Sequence, residues 1–188
     1  MMHDPNGAKP TVRVEASEET LASWIGSPEV SDELRTMLGS VDVLVVPFIG
    51  YVDRPNLRYF PEGTDELLEI LRTVLRPDVR VDICAADEDY QELDLHSDEL
   101  RVAKIVFDYV LWPIVTSAIS AWIDRLRAKR RKNLRVRSKF VLTKTPAGSS
   151  LEVSYDGPAA EYRDVMQKAL AAVAEISPEE GRPGSGRE

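Results

Sequence analysis

The sequence predicts an α+β fold: a small mixed sheet packed against a long central, proline-bent helix, with a C-terminal β-hairpin followed by an amphipathic helix. Three observations predict it. The run SDELRVAKIVFDYVLWPIVTSAISAWIDRLRAKRRK, Ser97 to Lys132, is the largest apolar commitment in the chain. Short β-rich segments with period-two alternation occur on both sides of it. Clear helical spacing then returns after Pro158, with Tyr162, Val165, Met166, Ala169, Leu170, Val173 and Ile176 on one face.

Read as one helix, the central run puts Arg101, Lys104, Asp108, Thr116, Ser120 and Asp124 on a narrow polar stripe and leaves most of its circumference apolar. Ser97 with Asp98 and Glu99 suits a helix start. A straight helix from Asp98 to Arg130 would span about 50 Å, well beyond a compact chain whose radius of gyration is about 16 Å. Pro113 in its interior would remove a hydrogen bond and crowd the preceding turn, so a bend is expected at Trp112–Pro113.

In chain order, residues 1–10 read as a disordered leader, and no apolar segment there resembles a secretory signal. TVRVE from Thr11 is a short strand. Ser17 to Gly26 and Ser31 to Gly39 are short helices, the second capped by Ser31 and closed by Gly39. Val41 to Ile49 is a strand buried on both faces and ended by Pro47. Gly50 to Gly63 reads as a long aromatic loop. Thr64 caps the helix TDELLEILRTVL, which Pro77 stops, and Val79 to Ala86 is a second strand, so a parallel crossover is permitted. Leu134 to Thr145 is a strand with Leu134, Val136, Phe140 and Leu142 on one face and Arg135, Arg137 and Lys139 on the other. A turn at 146–150 returns it to Leu151, Val153 and Tyr155. Pro158 is then placed at the first helical position of the last helix. The domain is expected over 11–176, with 177–188 a disordered tail.

Composition bounds the function. The chain is 43% hydrophobic and 30% charged, which suffices for one core. A single cysteine excludes an internal disulfide and a multi-cysteine zinc site, and with the polar N-terminus points to a cytoplasmic protein. The net charge of -8 hides an asymmetry. Residues 125–144 hold ten Lys or Arg and no acid, whereas residues 81–100 hold eight acids and no base.

No catalytic or cofactor motif stands out, so neither catalytic residues nor a cofactor is assigned. The reading the charges favour is a non-enzymatic interaction or regulatory module. It would bind an acidic protein surface, a second copy of the chain included, through Arg130, Arg131, Lys132, Arg135, Arg137 and Lys139. Nucleic acid ranks below this because the one aromatic in the basic run, Phe140, alternates inward. The first alternative anchors the protein in a membrane through residues 105–123. Its uncharged part, Tyr109 to Ile123, would reach only about 22 Å against about 30 Å of hydrocarbon. The second alternative is a metal-dependent phosphoester hydrolase on the acidic 82–99 segment, where Glu92, Asp94 and His96 would share one face of an extended strand. A Cys84–His96 nucleophile and base pair has no supporting loop, and an inert buried cysteine is the simpler expectation.

Overall fold

The computed structural model describes residues 9–51, 53–93, 99–129, 134–145 and 148–175. The fold is mixed α+β, organised on one seven-stranded sheet. Its strands are β1 (Thr11–Ser17), β2 (Val43–Val46), β5 (Val81–Ile83), β7 (Glu99–Arg101), β8 (Lys104–Asp108), β9 (Arg135–Thr143) and β10 (Ser150–Pro158), the first and last strands in chain order meeting side by side. The order across the sheet is β1-β10-β9-β8-β2-β5, with β7 also on β9. β1–β10–β9 are antiparallel, β8 and β7 run parallel to β9, and β2 lies antiparallel to β8 and parallel to β5.

A separate small sheet holds β3 (Phe48–Tyr51), β4 (Arg54–Pro61) and β6 (Glu92–Leu93). The segment expected as a loop at 50–63 is therefore mostly strand, because β3 and β4 form an antiparallel hairpin with a register shift beside Gly50, whose φ of 85° only glycine adopts readily.

Five helices flank the main sheet: α1 (Leu21–Ile25), α2 (Asp32–Leu38), α3 (Thr64–Val74), α4 (Trp112–Lys129) and α5 (Tyr162–Ala174). One sheet face, bearing Val43, Val45, Ile105, Phe107, Phe140, Leu142 and Val153, is buried with α3, α4 and α5 in the larger core. On the opposite face Leu44, Val46, Cys84, Val106 and Val141 are buried under α2 and its neighbours. Strand β2 is accordingly buried at all four positions, which is why its sequence shows no alternation. The parallel β2–β5 pairing, with α3 between them in sequence, realises the permitted crossover.

The central run departs from the sequence reading. Glu99–Arg101 and Lys104–Asp108 are strands, Tyr109–Leu111 is a 3₁₀ turn, and helix begins only at Trp112. Ile105, Val106 and Phe107 are buried from both sides of the sheet, and such a strand has the same continuous apolar run as a buried helix. Pro113 is thus the second residue of α4, where its missing N–H costs nothing, and the bend there is the passage from strand to helix. The alternative of a helical membrane span over 105–123 is overturned for the same reason, since that segment is divided among strand, turn and helix. Among the described residues no helix is long and apolar enough to cross a membrane. Both central tryptophans are covered by the protein itself, Trp112 at 0% and Trp122 at 1% exposure.

Smaller corrections have local causes. α3 begins at Thr64, but its cap position is Gly63, and the Thr64 hydroxyl donates to the Pro61 carbonyl at 2.6 Å. β10 continues through Pro158, so α5 starts one turn later than expected, at Tyr162. Ser31 does cap α2, accepting from the Leu34 amide at 3.2 Å, and Gly39 closes that helix. Ile176, the tail, the leader up to residue 8 and part of the β9–β10 turn lie outside the described residues.

Candidate functional site

The alternation of β9 and β10 sends Val136, Phe140, Leu142, Val153 and Tyr155 into the core and turns Arg135, Arg137, Lys139, Glu152, Ser154 and Asp156 the other way. In β1, opposite β10, Thr11, Arg13 and Glu15 fall on this same outward face, in register with Asp156, Ser154 and Glu152. α1 and α2 cover that face over β2, β8, Cys84 beside β5 and Val141 near the end of β9. The uncovered portion forms a basin of about 380 Å³. Among the described residues four cationic side chains line it, Arg13, Arg101, Arg137 and Lys139, with Asp156 the one carboxylate. Phe48, Thr11 and Ser154 contribute to the wall.

A bulge places Arg101. From Arg101 to Ile105 the chain advances four residues while β9 advances three, from Arg137 to Phe140, so one extra residue is absorbed around Val102. β7 thereby stays registered on β9 with Arg101 opposite Arg137. Two like charges facing each other across strands are destabilising unless a counter-charge intervenes. Glu99 supplies it, accepting from Arg101 Nε at 3.0 Å and pairing with Arg137 Nη1 at 3.3 Å.

The basic face is therefore a lattice of alternating charge. Asp156 accepts from Arg135 Nε at 2.7 Å and Arg137 Nε at 2.9 Å. Burial alone would raise the Asp156 pKa, but the two guanidiniums outweigh it and hold the carboxyl below its usual range. Lys139 pairs with Glu152 at 2.8 Å, which also lies 3.7 Å from Lys104 Nζ. Lys104, at 9% exposure, reaches Glu19 at 2.6 Å and sits 5.7 Å from the Trp24 ring centroid.

These pairs hold the cationic heads in place without exhausting them. Arg137 uses Nε and one Nη1 contact out of five N–H donors, and Lys139 uses one contact out of three. Both side chains remain nearly half exposed. The basin thus offers fixed, partly unspent donors to an oxyanion.

Of the six residues the sequence singled out, Arg137 and Lys139 line the basin, and Arg135 adjoins it through Asp156. Arg130, Arg131 and Lys132 lie outside the described residues. Arg127 and Lys129 end α4, which packs on the other side of the sheet from the outward face of β9. Arg13, Arg101 and Phe48 were missed. Arg13 was legible, since TVRVE turns Val12 and Val14 inward and Arg13 outward; Arg101 was hidden by the helix reading.

Glu92 is bonded to the first turn of α3, while Asp94 and His96 lie outside the described residues. Among the described residues no three His, Cys, Asp or Glu side chains are grouped to hold a metal ion. Cys84 is buried among apolar side chains, and that burial pushes its thiol pKa up, away from thiolate reactivity.

No family model, curated protein or solved structure matches this chain.

Proposed function

We propose that this protein is a non-enzymatic cytoplasmic interaction module whose outer-face basin receives carboxylates of an acidic partner segment. The observation that carries the reading is the cationic lining of one concave surface, Arg13, Arg101, Arg137 and Lys139, with the heads of Arg137 and Lys139 braced by Asp156, Glu99 and Glu152. Bracing lowers the entropy lost when a ligand engages these long side chains. A flexible acidic peptide fits such a site better than nucleic acid does, because the aromatics that line it, Phe48 and the buried Tyr155, offer no run of exposed stacking surfaces.

An oligoglutamate peptide is the probe, titrated calorimetrically at low and high salt. Binding at low salt should weaken as screening rises, and R137S/K139S should weaken it about tenfold or more. K168S, which removes an exposed charge on α5, should leave it unchanged. No binding at low salt, or equal loss in K168S and R137S/K139S, rejects the basin as the binding surface.

A further inference from the structure

β1 is the last strand of the main sheet, and among the described residues only one of its sides is paired. β10 pairs with it over all seven residues from Thr11 to Ser17 without a register shift. Among the described residues no backbone hydrogen bond reaches its other side. An exposed row of amide and carbonyl groups is a template for another strand, and proteins usually blunt it with proline, lysine or a bulge. β1 has none of these.

Its two charges also lack complements among the described residues. Arg13 lies opposite Ser154, and Glu15 lies opposite a like charge, Glu152, which Lys139 and Lys104 already engage. Both Arg13 and Glu15 are exposed. Among the described residues neither forms an ion pair, although Arg101, Arg135, Arg137 and Lys139 on the same sheet face all do.

We propose that β1 pairs antiparallel with β1 of a second copy about a two-fold axis at Val14, joining the two sheets into one. Val14 then faces Val14 of the second copy, Val12 faces Ala16, and Thr11 faces Ser17. Arg13 of each copy stands opposite Glu15 of the other, so both unpaired charges are answered at once. The sequence selects this register against its neighbours. A slip of one residue turns the half-buried valines to the charged face. Centring on Arg13 sets arginine against arginine, centring on Glu15 sets glutamate against glutamate, and either shortens the ladder. The contact is isologous, as a two-fold dimer requires. It is independent of the basin reading: Arg13 belongs to both surfaces, Glu15 only to this one.

The test is sedimentation of the full chain over a concentration series. The wild type should show a monomer–dimer equilibrium. R13E and E15R, each alone, set like charges against each other twice and should raise the dimer dissociation constant about tenfold or more. Mixed in equal amounts, the two variants should associate with each other, because every cross-strand pair again joins opposite charges; the double variant R13E/E15R should recover dimerisation by itself. Unchanged circular dichroism establishes that each variant is folded. A wild type that stays monomeric throughout, single variants that dimerise as tightly as the wild type, or a mixture no more associated than its components would each overturn the proposal.

Discussion

The carboxylate of Glu92 accepts from the backbone amide of Gly63 at 3.1 Å, and its other oxygen accepts from the Asp65 amide at 3.0 Å, so α3 is capped by a residue from a strand far along the chain. Tyr90 donates to the same carboxylate and stacks on Phe60 with ring centroids 5.1 Å apart. A negative group at a helix N-terminus satisfies orphan amides and meets the positive end of the dipole. The Gly63 φ of 84° presents the amide, and Trp122 approaches so closely that a Cβ there would lie 3.2 Å from its ring.

Replacing Glu92 with alanine should therefore cost about 1–2 kcal/mol of folding stability. E92Q, which keeps one acceptor and loses the charge, should cost less than E92A. Urea denaturation at neutral pH reads the difference. Equal stability of E92A and the wild type would remove the cap from the account of how β6 is tied to α3.

Acid should weaken the fold through Glu19. Burial tends to raise its pKa, but the Lys104 ammonium and the Trp24 indole N–H outweigh burial and leave the carboxyl below its usual range. A carboxyl with a depressed folded-state pKa stabilises the fold above its unfolded value, about 4.3 for glutamate. That contribution disappears as pH falls through the folded value, because the unfolded chain takes up the proton first. Asp156 adds in the same direction. The urea midpoint should thus decline below about pH 4.3, and less steeply in E19Q. At neutral pH E19Q should cost about 1 kcal/mol, the partial exposure of Glu19 screening the pair.

Much of this architecture is legible in the residues because β1, β9 and β10 alternate over most of their length. Arg137 and Lys139 were placed outward, and Val136 and Phe140 inward, from period two alone. The reading failed where alternation is absent. KIVF at 104–107 is covered from both sides, so β8 carries no periodic signature to separate it from α4. The same error hid Arg101 and so half of the Arg101–Arg137 pair. The cap that Glu92 supplies is hidden for another reason: the amides it caps are distant in sequence, and no local pattern announces such a partner. The carboxylates that brace the basin come from β7 and β10, beyond what a count of charges along the chain relates to β9.

Gly157 sits in a buried position of β10 where a side chain has no room. A Cβ there would lie 2.7 Å from the Tyr155 hydroxyl and 2.8 Å from Pro10 Cα. The Tyr155 hydroxyl is held, donating to the Pro158 carbonyl at 2.7 Å, and its burial pushes its pKa up to about 12. Gly157→Ala should therefore force the start of β1 away from β10 and cost about 1–3 kcal/mol. Thermal unfolding measures the cost. Faster hydrogen exchange at the Val12 amide, with β2 unaffected, would localise it.

Pro113→Ala separates the observed onset of α4 from a helix running through the whole central segment. Inside a long helix Pro113 would be a defect, and replacing it with alanine would restore a hydrogen bond and remove a clash, stabilising the protein by about 3 kcal/mol. As the second residue of α4 it has no such defect to repair, because amides of the first turn have no intrahelical acceptor. Two small effects remain. Alanine loosens the unfolded chain, costing about 0.4–1 kcal/mol. Against this, Trp112 has φ -49° and ψ -50°, a helical conformation that a following proline disfavours, so its removal relieves local crowding. The Tyr109 carbonyl that a new amide would seek already accepts from Trp112. The two effects oppose each other, and P113A should stay within about 1 kcal/mol of the wild type in urea denaturation, with unchanged helical circular dichroism. A gain near 3 kcal/mol would place Pro113 in a helix interior and return residues 99–108 to that helix.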